Sequence, residues 1–339
     1  MGCGTCSTPS SSSGCRRRAE VAESLRVEDL RVLIGAVEAV RGVSFELGAG
    51  SRTGLIGESG SGKTLTALAL MGLLPDGLRA AGRVLYGGRD LLTLPDDELC
   101  ALRGDRLAMV FQEPMSALNP VMRIGDQVAE PLMLHRRLGR RVALAEATRA
   151  LMRVRIRDPE EKMRAYPHQL SGGQRQRAMI AMAMACAPAV LVADEPTTAL
   201  DVTVQAGILR LLDELVEAEG TTLLLITHDL AVVASSCDRV LVMYGGKIVE
   251  SGTVGQVFDR PRHPYTRALL DAIPPVDEDL PDRHLRVIPG SVPGLGRFPP
   301  GCPFRNRCPN ADGKCAEMPP LAVLGDHSLA CWHPVEAGI

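Results

Sequence analysis

The sequence predicts an α/β fold in which helices cover both faces of a largely parallel β-sheet. Between residues 175 and 246, apolar strands rich in Val, Leu and Ile alternate with helical segments, as expected for a parallel sheet that is buried on both faces. Residues 25–56 instead alternate apolar and polar positions between glycines, which indicates an antiparallel β layer before the first helix. Residues from about 95 to 175 have mostly helical composition, so we expect a helical subdomain there.

The chain divides into three segments. Residues 1–22 are rich in small polar side chains and lack the apolar core of a secretory signal, so we predict that they are disordered. Residues 23–257 hold the α/β domain, and residues 258–339 form a loop-rich extension, because 14 of the 24 prolines stand at or after Pro261. The net charge of -2 gives no positive field that would attract nucleic acid, and no apolar run reaches the length of a membrane span.

A glycine-rich turn lies between a predicted strand and a predicted helix. Its sequence, GESGSGKT, fits the phosphate-loop pattern G-x-x-x-x-G-K-[ST] in full. Backbone N–H groups can wrap phosphate oxygens where no Cβ intervenes, and the helix N-terminus adds partial positive charge. We therefore predict that Lys63 reaches the β and γ phosphates of a nucleotide and that the Thr64 hydroxyl binds Mg²⁺. The predicted cofactor-binding residues of this loop are Gly57, Glu58, Ser59, Gly60, Ser61, Gly62, Lys63 and Thr64.

Two adjacent carboxylates follow the apolar strand that reads AVLVAD. Paired carboxylates at a buried strand end repel one another unless a cation offsets the cost. We predict that Asp194 holds the Mg²⁺ ion and that Glu195 is catalytic, because a free carboxylate beside the metal can accept a proton from the attacking water or orient it. The plainer alternative is that both side chains only cap the following helix.

A second glycine-containing turn, LSGGQ, precedes another predicted helix. Its residues Ser171, Gly172, Gly173 and Gln174 form a polar turn with few Cβ atoms, so we predict a second anion site at this helix start. With this turn, the motifs of the chain resemble those of the ABC-transporter ATPases in order and approximate spacing over residues 25–255. These motifs are GESGSGKT, FQEP with Gln112, LSGGQ, LVADEP, TALD with Asp201 and ITHD with His228.

The resemblance implies a phosphate-loop NTPase fold of ABC type that works as a head-to-tail pair. The phosphate loop of one domain would face the LSGGQ turn of the other across ATP, so that neither domain alone has a complete site. Carried over to this chain, Gln112 would contact Mg²⁺ and the attacking water, His228 would hold the γ-phosphate, and Asp201 would couple the two sites. One departure is that no aromatic residue precedes Phe45 to stack on adenine, and apolar contact near Val37 would have to replace it.

Flanking motifs resemble those of the oligopeptide/dipeptide importer branch of this family. They are YPHQLSGG, HPYTRALL and the cysteine-bearing tail that begins GCPFRNRC. The resemblance implies an ATPase that powers peptide import from the cytoplasmic side of the cell membrane. Its partners would be a second ATPase subunit, identical or related, two membrane-spanning permease subunits and, indirectly, an extracytoplasmic solute-binding protein, without nucleic acid. Nickel or another small solute is the alternative cargo, and a non-transport ABC ATPase is the rival class.

Four of the ten cysteines lie in the C-terminal extension with the spacing C-x5-C-x6-C-x15-C. Four thiolates can close a tetrahedral Zn²⁺ site or hold a [4Fe–4S] cluster. The spacing lacks the close C-x2-C pairs usual in zinc ribbons, so we favour an iron–sulfur cluster, with unmetallated structural thiols as the alternative. The predicted ligands are Cys302, Cys308, Cys315 and Cys331.

Overall fold

The computed structural model describes residues 24–198, 200–273 and 287–335. The segment predicted to be disordered, residues 1–22, lies outside the described residues. The strands in chain order are β1 (Leu25–Ile34), β2 (Val37–Leu47), β3 (Arg52–Ile56), β4 (Leu78–Tyr86), β5 (Arg89–Asp90), β6 (Leu107–Val110), β7 (Val190–Asp194), β8 (Thr222–Ile226), β9 (Arg239–Tyr244), β10 (Lys247–Thr253), β11 (Ala322–Leu324) and β12 (His327–Leu329). The helices are α1 (Lys63–Leu70), α2 (Asp96–Leu102), α3 (Pro114–Ala117), α4 (Ile124–His135), α5 (Arg140–Arg153), α6 (Pro159–Lys162), α7 (Gly172–Met184), α8 (Val202–Glu219), α9 (Leu230–Ser236), α10 (Val254–Asp259) and α11 (Pro264–Asp271).

An eight-stranded sheet forms the centre of the domain, in the order β11-β12-β10-β9-β3-β8-β7-β6. Strands β9, β3, β8, β7 and β6 are parallel, and β10, β12 and β11 continue the sheet by antiparallel pairing. Strands β7 and β8 are buried along their whole length, as expected for strands that are covered on both faces. The predicted α/β fold with a parallel core is confirmed.

Parallel pairing places the carboxyl ends of β3, β7 and β8 at one edge of the sheet. Asp194, at the end of β7, pairs in register with Ile226, at the end of β8. The phosphate loop follows β3, Glu195 follows β7, and His228 stands two residues beyond β8. The topology therefore brings three distant motifs to the same edge, which is where ligands bind in open α/β sheets.

A second, antiparallel sheet with the order β2-β1-β4-β5 opens the domain. Its inward side chains, which include Val32 and Val40, share a hydrophobic core with Ala67 and Leu70 of α1. The sheet therefore packs against the helix that begins at the phosphate loop. Strand β3, which belongs to the same alternating stretch of sequence, joins the central sheet instead, because its residues are buried almost continuously.

The helical subdomain consists mainly of α4, α5 and α7. These helices bury Val128, Ala147 and Ile180 in one core that continues onto the central sheet. Within the range of residues 95–175 predicted as helical, Leu107–Val110 form β6 at the edge of that sheet. The structure differs from the sequence pattern here because a run of four apolar residues has no period that separates a short buried strand from a helix.

The C-terminal extension packs on the central sheet and adds strands to it. Leu329 of β12 pairs with Glu250 of β10, and the hairpin β11–β12 lengthens the sheet. Tyr265 of α11 and Phe304 are buried against Tyr244 at the end of β9. The extension thus covers backbone groups of β10 that an edge strand would leave unpaired. Among the described residues, no helix combines the length and hydropathy needed to cross a bilayer.

Candidate functional site

The phosphate loop between β3 and α1 depends on glycines at positions that side chains would disrupt. Gly57 has φ +152°, and a Cβ built on it would lie 2.1 Å from the Met243 carbonyl oxygen. Gly62, with φ +103°, caps the N-terminus of α1. Ser59 and Gly60 are exposed at the tip of the loop. The loop is therefore a bare backbone turn that is open to solvent, the form that a phosphate chain needs.

Lys63 begins α1 and is 6% exposed. Its Nζ donates to the carbonyl oxygens of Gly57 at 2.8 Å and Glu58 at 3.2 Å. Burial lowers the pKa of Lys63, and three nearby carboxylates oppose that change. Ser61 is buried, and its Oγ has no hydrogen-bond partner within the described part of the chain. A buried ammonium held by carbonyls of its own loop, beside an unsatisfied hydroxyl, suits a phosphate that supplies charged oxygen acceptors.

Asp194 and Thr64 form the candidate Mg²⁺ site. Asp194 is 1% exposed and accepts a hydrogen bond from the Thr64 hydroxyl. Burial raises the pKa of Asp194, while the bond from Thr64 opposes the change. The Oδ1 atom of Asp194 has no hydrogen-bond donor among the residues that the structure describes. A buried carboxylate with one unsatisfied oxygen, next to a hydroxyl, fits a hard cation that prefers oxygen ligands.

The carboxylate of Glu195 lies beside the other two predicted catalytic residues, Gln112 and His228. Gln112 Nε2 donates to Glu195 Oε2 at 3.2 Å, and His228 Nδ1 lies 3.4 Å from Glu195 Oε1. The Thr198 hydroxyl donates to Oε2 at 2.8 Å. The backbone of Glu195 has φ +43°, in the left-handed region, and its N–H donates to the Ile226 carbonyl at 2.9 Å. A strained backbone conformation thus holds this carboxylate at the sheet edge, as is common at functional sites.

Sequence reasoning missed Thr198. The local signal is a hydroxyl three residues after Glu195, a spacing at which Ser and Thr side chains can reach back within a turn. That signal is weak, because many threonines at such spacings bond to backbone groups instead. In the structure, Thr198 and Gln112 both donate to Oε2, and Oε1 is the oxygen nearer His228.

The LSGGQ turn begins α7 and lines an open cavity. Ser171 Oγ accepts from Gln174 N at 3.3 Å, while Gln174 Oε1 accepts from Ser171 N at 3.0 Å. Asp201 caps α8 beside the turn and accepts from Val204 N at 2.9 Å. These four residues, the two glycines of the turn and three arginines line an open cavity of about 730 Å³. None of the described phosphate-loop residues lines this cavity, so the turn and the loop do not share it.

The start of strand β2 passes beside the phosphate loop, and the aromatic residue of this strand, Phe45, stands eight positions after Val37. The carbonyl oxygen of Ala39 lies 3.2 Å from a Cβ built on Gly62. Val37, two residues earlier on the same strand, is 36% exposed. The strand therefore offers an accessible apolar side chain close to the loop, and contact between Val37 and adenine stays a prediction.

The fold and the site define a nucleotide-binding ATPase with a phosphate loop. The sequence matches the ABC transporter family over residues 40–198, and the oligopeptide/dipeptide transporter C-terminal region over residues 249–315. It is 49% identical to the oligopeptide transport ATP-binding protein OppD of Escherichia coli (strain K12) over 317 residues, which cover 92% of this chain and 94% of that protein. It is 46% identical to the dipeptide transport ATP-binding protein DppD of Bacillus subtilis (strain 168), with 91% and 94% covered. The chain belongs to the ABC transporter ATP-binding proteins, in the oligopeptide and dipeptide branch.

Solved structures share the same fold. The dimeric structure of MJ0796, a bacterial ABC transporter cassette, matches with a TM-score of 0.61 at 27% identity and covers 68% of this chain and 98% of the cassette. The protein cbiO1 from Clostridium perfringens, part of the ABC transporter complex cbiONQ, matches with a TM-score of 0.58 at 28% identity and covers 69% of this chain and 90% of its own. The ABC-type phosphate-loop fold predicted from the motifs is therefore confirmed.

Proposed function

We propose that this chain is the ATP-hydrolysing subunit of an ABC transporter that imports peptides through a membrane permease. The observation that carries the proposal is the cluster at the sheet edge, where Gln112, Thr198 and His228 surround Glu195 beside a complete phosphate loop. The match of residues 249–315 to the C-terminal region of oligopeptide and dipeptide transporters supports peptide as the cargo. The chain acts as a peripheral subunit at the cytoplasmic face of the cell membrane.

The phosphate loop and the end of β7 bind ATP and Mg²⁺ in this proposal. Lys63 exchanges the carbonyl oxygens of its own loop for the β and γ phosphate oxygens, and the buried Ser61 hydroxyl gains a partner. Thr64, Asp194 and Gln112 hold the Mg²⁺ ion. When bound, Mg²⁺ neutralises charge on the phosphates and polarises the group being transferred.

Glu195 acts on the water that attacks the γ-phosphate. Its carboxylate accepts the proton of that water or orients the molecule for attack. Gln112 and Thr198 donate to the carboxylate and fix its direction. His228 has a side chain that is 70% exposed, so its ring is accessible to a γ-phosphate beside Glu195.

Two subunits are needed to close an ATP site. The LSGGQ turn of one chain lines a cavity that its phosphate loop does not line, and head-to-tail pairing would join each loop to the turn of the partner subunit. The MJ0796 cassette is 27% identical to this chain and its structure is dimeric, which supports the pairing of two subunits. The γ-phosphate then bridges the halves and its cleavage releases them, which gives ATP a differential contact with the closed state. Asp201 couples the sites from its position beside the turn.

The proposed complex extends beyond the ATPase pair. The second ATPase subunit is a copy of this chain or a related chain. Two membrane-spanning permease subunits form the channel, and an extracytoplasmic solute-binding protein delivers the peptide to them. The net charge of -2 favours no nucleic-acid partner.

Uptake by cells that lack this chain tests the proposal. In a host strain without other peptide importers, deletion is expected to abolish accumulation of a radiolabelled tripeptide while nickel uptake stays unchanged. The intact chain should restore peptide uptake, and the Glu195→Gln variant should not, because transport requires hydrolysis. Loss of nickel uptake alone would move the chain to the alternative cargo class, and normal uptake of both would support a non-transport ATPase.

We also propose that the four cysteines of the extension hold a [4Fe–4S] cluster. Three of the four sulfurs accept a hydrogen bond from the backbone N–H of the residue two positions further along the chain. Such hydrogen bonds stabilise thiolate ligands. The pairs are Phe304 to Cys302, Asn310 to Cys308 and His333 to Cys331. Burial raises the pKa of these three thiols, that of Cys331 to about 12, although the N–H bonds oppose the change. A bound metal lowers the pKa of a thiol that coordinates it, so metal binding would oppose this change.

The sulfurs of the described cysteines are not close enough together for a single zinc ion that is bound by all four of them. Zn²⁺ at about 2.3 Å from each of four sulfurs brings those sulfurs to about 3.8 Å from one another. Among the described residues, the group of three metal-ligating atoms that lie within 4.8 Å of one another is Asp312, Cys315 and His333, and no three of the cysteines form such a group. If the extension binds zinc instead of a cluster, these three residues are its candidate ligands.

Metal analysis of the full chain tests the cluster. Protein purified without oxygen is expected to absorb visible light and to contain about four iron atoms per chain. The Cys315→Ser variant should lose the iron, and Cys100→Ser, which changes an exposed cysteine outside the quartet, should keep it. Colourless protein that contains one zinc ion and no iron would contradict the cluster.

A further inference from the structure

Glu58, a residue of the phosphate loop, forms hydrogen bonds with two residues of the C-terminal extension. Its N–H donates to the Tyr265 hydroxyl at 2.8 Å. Its carboxylate accepts two bonds from Arg307, Nη1 to Oε2 at 2.7 Å and Nη2 to Oε1 at 3.1 Å. Its carbonyl oxygen accepts from Lys63 Nζ and from Ser61 N, each at 3.2 Å. Every polar group of Glu58 is therefore bonded, and two of the partners lie more than 200 positions away in the sequence.

Arg307 is held in one orientation by its surroundings. The side chain is 6% exposed, its Nε donates to the Pro289 carbonyl at 2.9 Å, and its Nη1 also donates to the Tyr244 hydroxyl at 3.2 Å. The guanidinium carbon lies 5.9 Å from the ring centre of Tyr244 and 6.0 Å from that of Phe304. A buried guanidinium that packs against two rings presents two parallel N–H groups to a carboxylate. Because its side chain is already held in one conformation, little conformational entropy is lost when it binds the carboxylate.

Tyr265 is fixed just as firmly. The residue is fully buried, and its ring centre lies 4.6 Å from that of Tyr244 and 5.2 Å from that of Phe304. Its backbone N–H donates to His263 Nδ1 at 3.0 Å, and the His263 N–H donates to the buried carboxylate of Glu250 on β10 at 2.9 Å. The Tyr265 hydroxyl, which accepts from the Glu58 N–H, is thus held in place by contacts with both the central sheet and α11.

We propose that Arg307 and Tyr265 are positioning residues for ATP, which hold Glu58 and thereby keep the phosphate loop in the shape that binds the triphosphate. The inference rests on the proposed ATPase function. Three glycines of the loop have positive φ, so the loop alone has many accessible conformations. Apparent affinity falls in proportion to the fraction of molecules in the competent shape. The extension therefore sets the affinity of an ATP site whose nucleotide-binding residues all lie elsewhere.

A purely structural role would give a different result. If Arg307 only attached the extension to the domain, its loss would lower the melting temperature and leave the ATP affinity of the folded molecules unchanged. The two roles are separated by measuring affinity well below the melting temperature of each variant. They are also separated by the kinetics, because a misplaced loop raises KM for ATP while the chemistry at Glu195 and the kcat are preserved.

The experiment uses the full chain and a fluorescent ATP analogue with Mg²⁺. Arg307→Met keeps an apolar stem and removes the fork, and it is expected to raise the dissociation constant about 5- to 20-fold. Tyr265→Phe removes a single oxygen, so folding is retained even where Arg307→Met unfolds the extension, and an increase of about 3-fold or more is expected. Arg307→Lys should restore part of the affinity, because it returns the charge without the fork.

Two controls locate the effect. Arg297→Met makes the same substitution at an exposed position of the extension, and we expect wild-type affinity. In a Glu58→Gln background, Arg307→Met should add little, because both changes break the same contact. Wild-type affinity in folded Arg307→Met and Tyr265→Phe variants would overturn the inference, as would full additivity with Glu58→Gln. Absence of binding by the wild-type chain would instead overturn the proposed ATPase function itself.

Discussion

Replacing Glu195 with Gln is expected to reduce ATP turnover at least about 100-fold while ATP binding is retained. The amide has the shape of the carboxylate and can still meet Gln112 and Thr198, but it cannot accept a proton from water. Because the γ-phosphate persists, the ATP-bound pair of subunits should also persist. The measurements are steady-state phosphate release and the molar mass of the chain, or of the chain with its partner subunit, in the presence of ATP and Mg²⁺.

A matched control separates this effect from a general loss of acidic charge. Glu130→Gln makes the same change at an exposed position on α4, and its turnover should equal that of the wild type. A Glu195→Gln variant that hydrolyses ATP at the wild-type rate would reject Glu195 as the catalytic base. His228 or another group would then have to activate the water.

Local sequence patterns were sufficient for the parts of the site that lie within single motifs. The glycines and Lys63 stand between a strand and a helix, and Asp194 with Glu195 ends a continuous apolar strand. Parallel strands place their carboxyl ends at one sheet edge, so the convergence of Glu195 and His228 follows from the topology once the strands are assigned. The contact from Gln112 to Glu195 spans 83 positions, and it was not predicted, because the family resemblance implied only contact of Gln112 with Mg²⁺ and the attacking water.

The contacts that the sequence did not predict depend on long-range packing. The Arg307–Glu58 pair joins positions 249 residues apart, and nothing local distinguishes Arg307 from its neighbour Arg305. Strand β12 has three residues, too few to display a period, and it forms because the edge of β10 needs a partner. Such features depend on which surfaces meet after folding, which composition and spacing do not encode.

These long-range contacts also change how the extension is understood. Composition indicated a loop-rich segment after about residue 258, separate from the ATPase domain. In the structure, α11 and Phe304 complete a hydrophobic core with β9, the strand that pairs with β3 just before the phosphate loop. We therefore expect a change in the extension to affect the loop through these contacts and not through the predicted catalytic residues that follow β7 and β8.

Replacing Lys63 with Met is expected to weaken ATP binding roughly 100-fold, since a charge-assisted bond to phosphate is among the stronger polar contacts in proteins. The Lys63 ammonium is buried. Among the described residues, its hydrogen bonds are to the carbonyl oxygens of Gly57 and Glu58. Burial of this charge opposes folding, as the lowered pKa of Lys63 indicates. We therefore expect the Lys63→Met variant to melt at the wild-type temperature or above it.

The combination of lost affinity and retained stability is what identifies Lys63 as a ligand of the nucleotide. Titration of the fluorescent ATP analogue and thermal unfolding without nucleotide measure the two quantities on the same protein. Lys162→Met, at the end of the short helix α6, removes the same charge far from the loop in sequence and should leave binding unchanged. A Lys63→Met variant that binds ATP as tightly as the wild type would mean that backbone N–H groups and Mg²⁺ hold the triphosphate without the ammonium. A large loss of stability would instead mean that the charge is needed for folding of the loop.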